Sequence, residues 1–229
     1  MLEKAGAVVF TPRERDWQRQ EVIVDNDTPL GYSEISSRHH PWTQTDSAGF
    51  AYHPQPYVDH ENPFKAGTAR QAQVGGNGSQ LSQISYQPNI PEKGRYAVYV
   101  SYQTVEGSID DAHYTIWHQG VPTEFHVNQQ MGGSTWVYLG TFDFDEGTSA
   151  RNCVVLSNKS RHHKGVVTAD AVRFGGGMGN IERGSHTSHL PRCLEGSRYY
   201  AQWAGMPWEV YSTKNGEDDY GDDINARSY

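Results

Sequence analysis

The sequence predicts a mainly β protein: an antiparallel β-sandwich, jelly-roll-like, with short α/β segments flanking it. Two patterns predict this class: short runs in which apolar residues alternate, and turn residues spaced regularly between those runs. No helix-period segment interrupts residues 21–174. The composition agrees, because 12% aromatic residues, 24 Gly and 11 Pro are typical of short strands joined by many turns.

The strand prediction depends on consecutive runs in the middle of the chain. Alternation in residues 95–102 places four side chains on one face: Tyr96, Val98, Val100 and Tyr102. The next run groups Ala112, Tyr114 and Ile116 on one face and puts Trp117 on the other. Further strands are predicted around residues 125–127, 136–144, 152–157 and 166–174.

The two ends have a different pattern. Residues 2–10 predict a helical turn, a glycine C-cap and a buried strand. Near the other end, the pattern predicts a helix over residues 191–204, a short strand over 208–211 and a capped helix start at 222–227. Since both end segments are cut off within an element, we interpret them as two pieces of one α/β domain that flank an inserted β domain.

Three domain segments follow from this interpretation. Residues 1–20 are expected to be a fragment of the α/β domain, and residues 21–175 the β-sandwich. Residues 176–229 then hold a linker, a helix and the start of the returning α/β domain. The run Gly175-Gly176-Gly177 lacks the spacing of a phosphate-binding loop and predicts a flexible exit linker.

Charge and hydropathy exclude two classes of partner. A net charge of −8 argues against nucleic acid, because binding phosphates requires a basic face. No stretch of 18 residues is apolar, so no membrane span is predicted. The two cysteines, Cys153 and Cys193, lack metal-ligand spacing; a buried free thiol is expected for Cys153, and a disulfide between them is the alternative.

Two groups of residues raise the question of a metal. Asp25, Asn26 and Asp27 bring three oxygen-bearing side chains together, which suits Ca²⁺, with Asp25 and Asp27 as the candidate ligands. An Asx-turn that needs no metal is the alternative. The denser spots among the eleven histidines are either ordinary surface residues or part of a transition-metal site: His39-His40, His162-His163 and the pair His186 and His189.

Aromatic residues suggest a binding surface. Trp42, Phe50, Tyr52 and Tyr57 fall in an irregular stretch rich in His and Pro, and loops on a rigid sandwich often carry binding residues. Sugar rings pack their C–H faces on Trp and Tyr, so Trp42, Tyr52, Tyr57 and Trp117 are the candidate carbohydrate-binding residues. A structural role in the core is the alternative for each of them.

Residues 21–175 resemble the carbohydrate-binding-domain-like module of golvesin and of xanthan-lyase-like proteins. The resemblance is carried in order by residues 22–27 (VIVDND), Trp42, Gly49-Phe50, residues 94–100 (GRYAVYV), 112–118 (AHYTIWH), 136–144 (WVYLGTFDF) and 169–174 (ADAVRF). It implies a β-sandwich that binds carbohydrate and performs no chemistry of its own.

The flanks resemble fragments of an N-acetylmuramoyl-L-alanine amidase-like domain. Residues 2–16 are similar to that family's passage from helix to strand, and residues 223–227 to the helix before its second histidine ligand. The resemblance implies that the zinc ligands lie outside this chain. It also implies a flanking catalytic domain in cis and a secreted, periplasmic or cell-envelope location.

The sequence therefore predicts a non-catalytic module that tethers a cell-wall amidase-like protein to polysaccharide or peptidoglycan. One alternative is that the chain is part of a zinc-dependent amidase-like enzyme whose ligands lie elsewhere. The other is a purely structural spacer that binds no sugar.

Overall fold

In the computed structural model, the described residues are 16–51, 62–75 and 81–177, with 196–198, 201, 206, 208–211 and 222 near the end of the chain. Within them the strands are β1 Glu21–Asp25, β2 Tyr32–Ile35, β3 Thr43–Gly49, β4 Gly67–Gln73, β5 Gln83–Tyr86, β6 Asn89–Ile90, β7 Gly94–Val100, β8 Ala112–His118, β9 Val121–Val127, β10 Val137–Phe144, β11 Gly147–Thr148, β12 Cys153–Ser157, β13 Val166–Ala169 and β14 Ala171–Gly175. A 3-10 helix, Pro63–Lys65, precedes β4.

Two sheets form the sandwich. One has four strands in the order β1-β14-β7-β10, and the other has five in the order β2-β5-β12-β8-β9. A three-stranded sheet, β13-β4-β3, and the short pair β11-β6 complete the architecture that the structure describes. Each pair of neighbouring strands in these sheets is antiparallel, which confirms the predicted fold class.

The core lies between the two main sheets, and the alternation in the sequence decides which side chains enter it. Tyr96, Val98 and Val100 of β7 meet Tyr114 and Ile116 of β8 in one buried cluster. All five are the residues that the period-two pattern places on the inward faces. The interior of the sandwich was therefore predicted correctly for these two strands.

A second buried cluster covers the outer face of the four-stranded sheet. The rings of Phe50, Phe64 and Trp136 pack against one another, with centroids 4.8 to 5.3 Å apart. Tyr99, on the outward side of β7, belongs to the same cluster. Trp136, at the start of the strand predicted over residues 136–144, is thus a core residue.

The chain leaves β14 through three closely packed glycines. The Gly176 N–H lies 3.1 Å from the carbonyl oxygen of Gln18 and 2.8 Å from that of Gln20. Gly176 has φ +75°, and a Cβ at Gly177 would lie 2.2 Å from the carbonyl oxygen of Asp16. The prediction of a flexible linker is wrong at these glycines, because close backbone packing against residues 16–20 requires them.

Near the end of the chain, Trp208–Tyr211 forms an α-helix, α1, where the sequence predicted a strand. A run of four residues, three of them apolar, is too short for its period to distinguish a helix from a strand, which explains the error. The predicted elements over residues 2–10 lie outside the described residues, and the three domain boundaries remain predictions. Among the described residues, no helix is both long and apolar enough to cross a membrane.

Candidate functional site

Trp42 lies in the core rather than on a binding loop. Its side chain is 4% exposed and belongs to the cluster between the two main sheets. Its backbone is held as well, since the Trp42 N–H donates to Ser36 Oγ at 3.1 Å and its carbonyl oxygen accepts from Arg70 Nη2 at 3.3 Å. The expectation of an exposed ring at Trp42 is corrected: the surrounding His- and Pro-rich sequence is loop-like, but the indole turns inward.

Phe50 is the other residue of the predicted aromatic group that the structure describes. Phe50 is fully buried against Phe64 and Trp136. Tyr52 and Tyr57 lie outside the described residues, so their assignment as carbohydrate-binding residues remains a prediction.

Trp117 points away from the core on the five-stranded sheet. It is half-buried on β8, and its neighbours in the sheet are Cys153 on β12 and Pro122 on β9. Its orientation opposite Tyr114 and Ile116 is the one that alternation predicts. Cys153 itself is a buried free thiol, as expected.

One exposed tryptophan in the described part of the chain was missed by the sequence analysis. Trp17 is 55% exposed and stands beside an open groove of about 750 Å³. The groove is lined by Trp17, Gln18, Arg19, Gln20, Glu92 and Arg95. One signal was available: a large aromatic residue stands alone among the polar residues of this segment.

Both walls of this groove are held by the sandwich. On one wall, backbone bonds to Gly176 fasten residues 16–20, and the Gln18 N–H donates to Asp16 Oδ1 at 3.2 Å. On the other wall, Tyr96 Oη donates to the carbonyl oxygen of Glu92 at 2.8 Å. The groove therefore combines one exposed indole with amide, guanidinium and carboxylate groups on fixed backbone, which can pack against a sugar ring and bind its hydroxyl groups.

The aspartates at the end of β1 occupy a buried polar site. Asp25 is 1% exposed, and its Oδ1 accepts the Asp27 N–H at 2.8 Å, which forms the Asx-turn named above as the alternative to a metal site. Two buried oxygens on consecutive residues, Asp25 Oδ2 and Asn26 Oδ1, have no hydrogen-bond partner in the described structure. Exposed Asp27 accepts from both the backbone N–H and the hydroxyl of Thr68.

Burial changes the protonation of this site. Loss of solvent raises the pKa of Asp25 from 3.8 to about 8, and the carboxylates of Asp170 and Asp27 add to the effect. Burial likewise raises the pKa of Asp170 to about 7, against the opposing effect of hydrogen bonds from Ser101, Phe50 and Gln103. A cation bound here would stabilise the ionised forms, so the donor set fits the predicted Ca²⁺.

Comparison with known proteins identifies relatives for most of the sandwich. Residues 59–176, more than half of the chain, match the Golvesin C-terminal domain family. The chain is 28% identical over 153 residues to xanthan lyase of Bacillus sp. (strain GL1), an alignment that covers 67% of this chain and 14% of the lyase. The chain therefore spans a small part of the curated relative that it matches.

One solved structure shows a similar fold. The Paenibacillus xanthan lyase matches with a TM-score of 0.51 and 23% identity, over 74% of this chain and 14% of that chain. This likeness supports the fold alone. The C-terminal CBM6 of LamC, a marine laminarinase from Zobellia galactanivorans, gives a TM-score of 0.40 at 13% identity over 68% of this chain and 99% of that one.

Proposed function

Because the chain belongs to the Golvesin C-terminal domain family, we propose that it is a non-catalytic carbohydrate-binding module. Its glycan occupies the groove beside Trp17. The observation that carries this proposal is the 55% exposed indole of Trp17 on a wall of that groove. An exposed ring is available to the apolar face of a sugar, whereas the buried ring of Trp42 is not.

The polar residues of the groove supply the rest of the recognition. The amides of Gln18 and Gln20 can both donate to and accept from hydroxyl groups, and the guanidinium groups of Arg19 and Arg95 can donate to them. A few polar groups beside an aromatic wall orient a ligand, while the apolar contact contributes much of its affinity. Trp117 offers a second surface on the five-stranded sheet, where the residue is less exposed than Trp17.

Within a longer protein, the module would hold a catalytic domain near its substrate. The resemblance of the flanks to an amidase-like domain supports a cell-wall enzyme as that partner, with polysaccharide or peptidoglycan as the glycan. Tethering raises the effective concentration of the substrate without adding chemistry. In this arrangement the protein would act outside the cell, in the periplasm or in the cell envelope.

Two tryptophan variants locate the site. Trp17→Ala and Trp117→Ala are matched changes on different surfaces, and each serves as the control for the other. We expect the wild-type protein to bind at least one member of a panel of soluble peptidoglycan fragments and of bacterial and plant polysaccharides. We expect Trp17→Ala to weaken that binding at least tenfold, a loss of about 1.4 kcal/mol, while Trp117→Ala binds as wild type.

Each other outcome of this titration has a definite meaning. Loss of binding only in Trp117→Ala would move the site to the sheet surface. Absence of saturable binding by the wild-type protein across the panel would favour the alternative that the chain is a purely structural spacer. Thermal melting of both variants establishes that any change in affinity is not caused by unfolding.

We also propose that Ca²⁺ binds at Asp25 and Asp27. The unpartnered oxygens of Asp25 and Asn26 support this second role, because a buried acceptor without a partner destabilises the fold and a cation would stabilise it. At pH 8, Ca²⁺ should raise the melting temperature of the wild-type protein and leave that of Asp25→Asn unchanged. Exposed Asp46→Asn is the matched control, and an equal response of all three proteins would contradict the site.

A further inference from the structure

The structure brings together a group of metal-ligating side chains that the carbohydrate proposal does not use. Asp110 and Asp111 lie immediately before β8, and His162 lies on the connection between β12 and β13. One ligand atom from each residue falls within 4.8 Å of the others. We propose that Asp110, Asp111 and His162 form a binding site for a divalent transition-metal ion.

Asp111 provides the buried side of this site. It is 4% exposed, and a different donor holds each of its two carboxylate oxygens. Ser160 Oγ donates to Oδ1 at 2.7 Å, and the Arg161 N–H donates to Oδ2 at 2.8 Å. Hydrogen bonds of this kind to a ligating carboxylate fix its direction and strengthen metal binding, while each oxygen retains a further lone pair.

His162 and Asp110 provide the outer side. His162 Nε2 lies 2.6 Å from Asp110 Oδ1 and 3.9 Å from Asp111 Oδ1. The His162 N–H donates to Ser160 Oγ at 3.0 Å, so the residue that orients Asp111 also holds the histidine backbone. A metal ion would replace the proton now shared between the imidazole and Asp110, as binding to these ligands requires.

Arg161 is the group that competes with a cation here. Its Nη2 lies 2.6 Å from Asp110 Oδ2, but its side chain is 66% exposed, and ion pairs at such positions contribute little free energy. Arg161 can therefore turn into solvent when a metal ion binds.

The donor set selects the class of metal. Ca²⁺ and Mg²⁺ prefer oxygen ligands, whereas a set of one imidazole and two carboxylates suits Zn²⁺ and similar first-row divalent ions. Three protein ligands leave a coordination position for water or for a ligand. A second imidazole, of His113, lies 3.9 Å from Asp111 Oδ2 and packs against His126, with ring centroids 4.2 Å apart and ring planes tilted by 49°.

The test is a Zn²⁺ titration of the whole chain, measured by calorimetry after bound metal has been removed with EDTA. The absorption spectrum of added Co²⁺ is a second probe. We expect one saturable site in the wild-type protein and at least tenfold weaker binding by His162→Gln and by Asp110→Asn. His163→Gln is the matched control, because the neighbouring His163 is exposed and outside the cluster; it should bind as wild type.

Two results would overturn the proposal. One is no saturable binding by the wild-type protein, which would leave the cluster as an ion-pair network that joins two loops. The other is equal binding by His162→Gln, Asp110→Asn and wild type, because Zn²⁺ would then be held by other histidines among the eleven. Asp110 is partly exposed, so Asp110→Asn keeps the test valid even if His162→Gln does not fold.

Discussion

Asp170 accepts the backbone N–H of Phe50 through both of its carboxylate oxygens, at 3.0 and 3.1 Å, across 120 residues of sequence. Its Oδ2 also accepts from the Ser101 hydroxyl at 2.7 Å and from the Gln103 amide at 3.4 Å. Asp170 lies between β13 and β14, so one buried carboxyl group joins the segment that carries Phe50 to the strands of the sandwich.

We predict that Asp170→Asn lowers the free energy of unfolding by about 1–3 kcal/mol. The new amide retains one acceptor oxygen but turns its own N–H groups toward donors such as the Phe50 N–H and the Gln103 amide. Urea denaturation measures the change. Asp46→Asn, the same substitution at an exposed position, should stay within about 0.5 kcal/mol of wild type. Equal stability of the two variants would mean that the Asp170 hydrogen bonds contribute no net free energy.

A second prediction concerns pH. Burial raises the pKa of Asp25 to about 8 and that of Asp170 to about 7, from 3.8 in each case. Between pH 4 and about pH 8 the folded protein therefore binds more protons at these groups than the unfolded chain does. Their contribution to the free energy of unfolding must then fall as pH rises through this window, and it changes little above pH 8.

Asp25→Asn isolates the contribution of Asp25. Because the amide does not ionise, the stability of the variant relative to wild type should increase from pH 5 to pH 8, by at most about 1.4 kcal/mol per pH unit. Urea denaturation in chelator at several pH values measures this difference. Parallel stability curves for the two proteins would show that Asp25 ionises at its ordinary pKa.

The sequence was informative where structure depends on local alternation. The inward faces of β7 and β8, and the outward direction of Trp117, follow from the period-two pattern alone. Burial of loop residues depends instead on which sheet they fold against. Phe50 is covered by Phe64 and by Trp136, which is distant in sequence, and no local pattern indicates either contact.

The candidate sites were harder to predict for the same reason. Asp110 and His162 are 52 residues apart, so their convergence depends on the pairing of β8 with β12. The Trp17 groove likewise depends on Gly176, which fastens residues 16–20 beside the turn at Glu92. Spacing along one chain identifies metal ligands or a binding groove only when they come from one element or a fixed motif.

A third prediction follows from the burial of Trp42. Trp42→Ala removes a large side chain from the cluster between the main sheets, and we expect it to lower the free energy of unfolding by about 3–5 kcal/mol. Trp42→Phe should lose less, because a ring still fills the space and the buried indole N–H, which has no partner among the described residues, is removed. Chemical denaturation measures both variants, with Trp17→Ala as the exposed control, expected within about 0.5 kcal/mol of wild type. If Trp42→Ala were as stable as Trp17→Ala, the indole of Trp42 would have to lie at the surface, and its role as a sugar-binding residue would be open again.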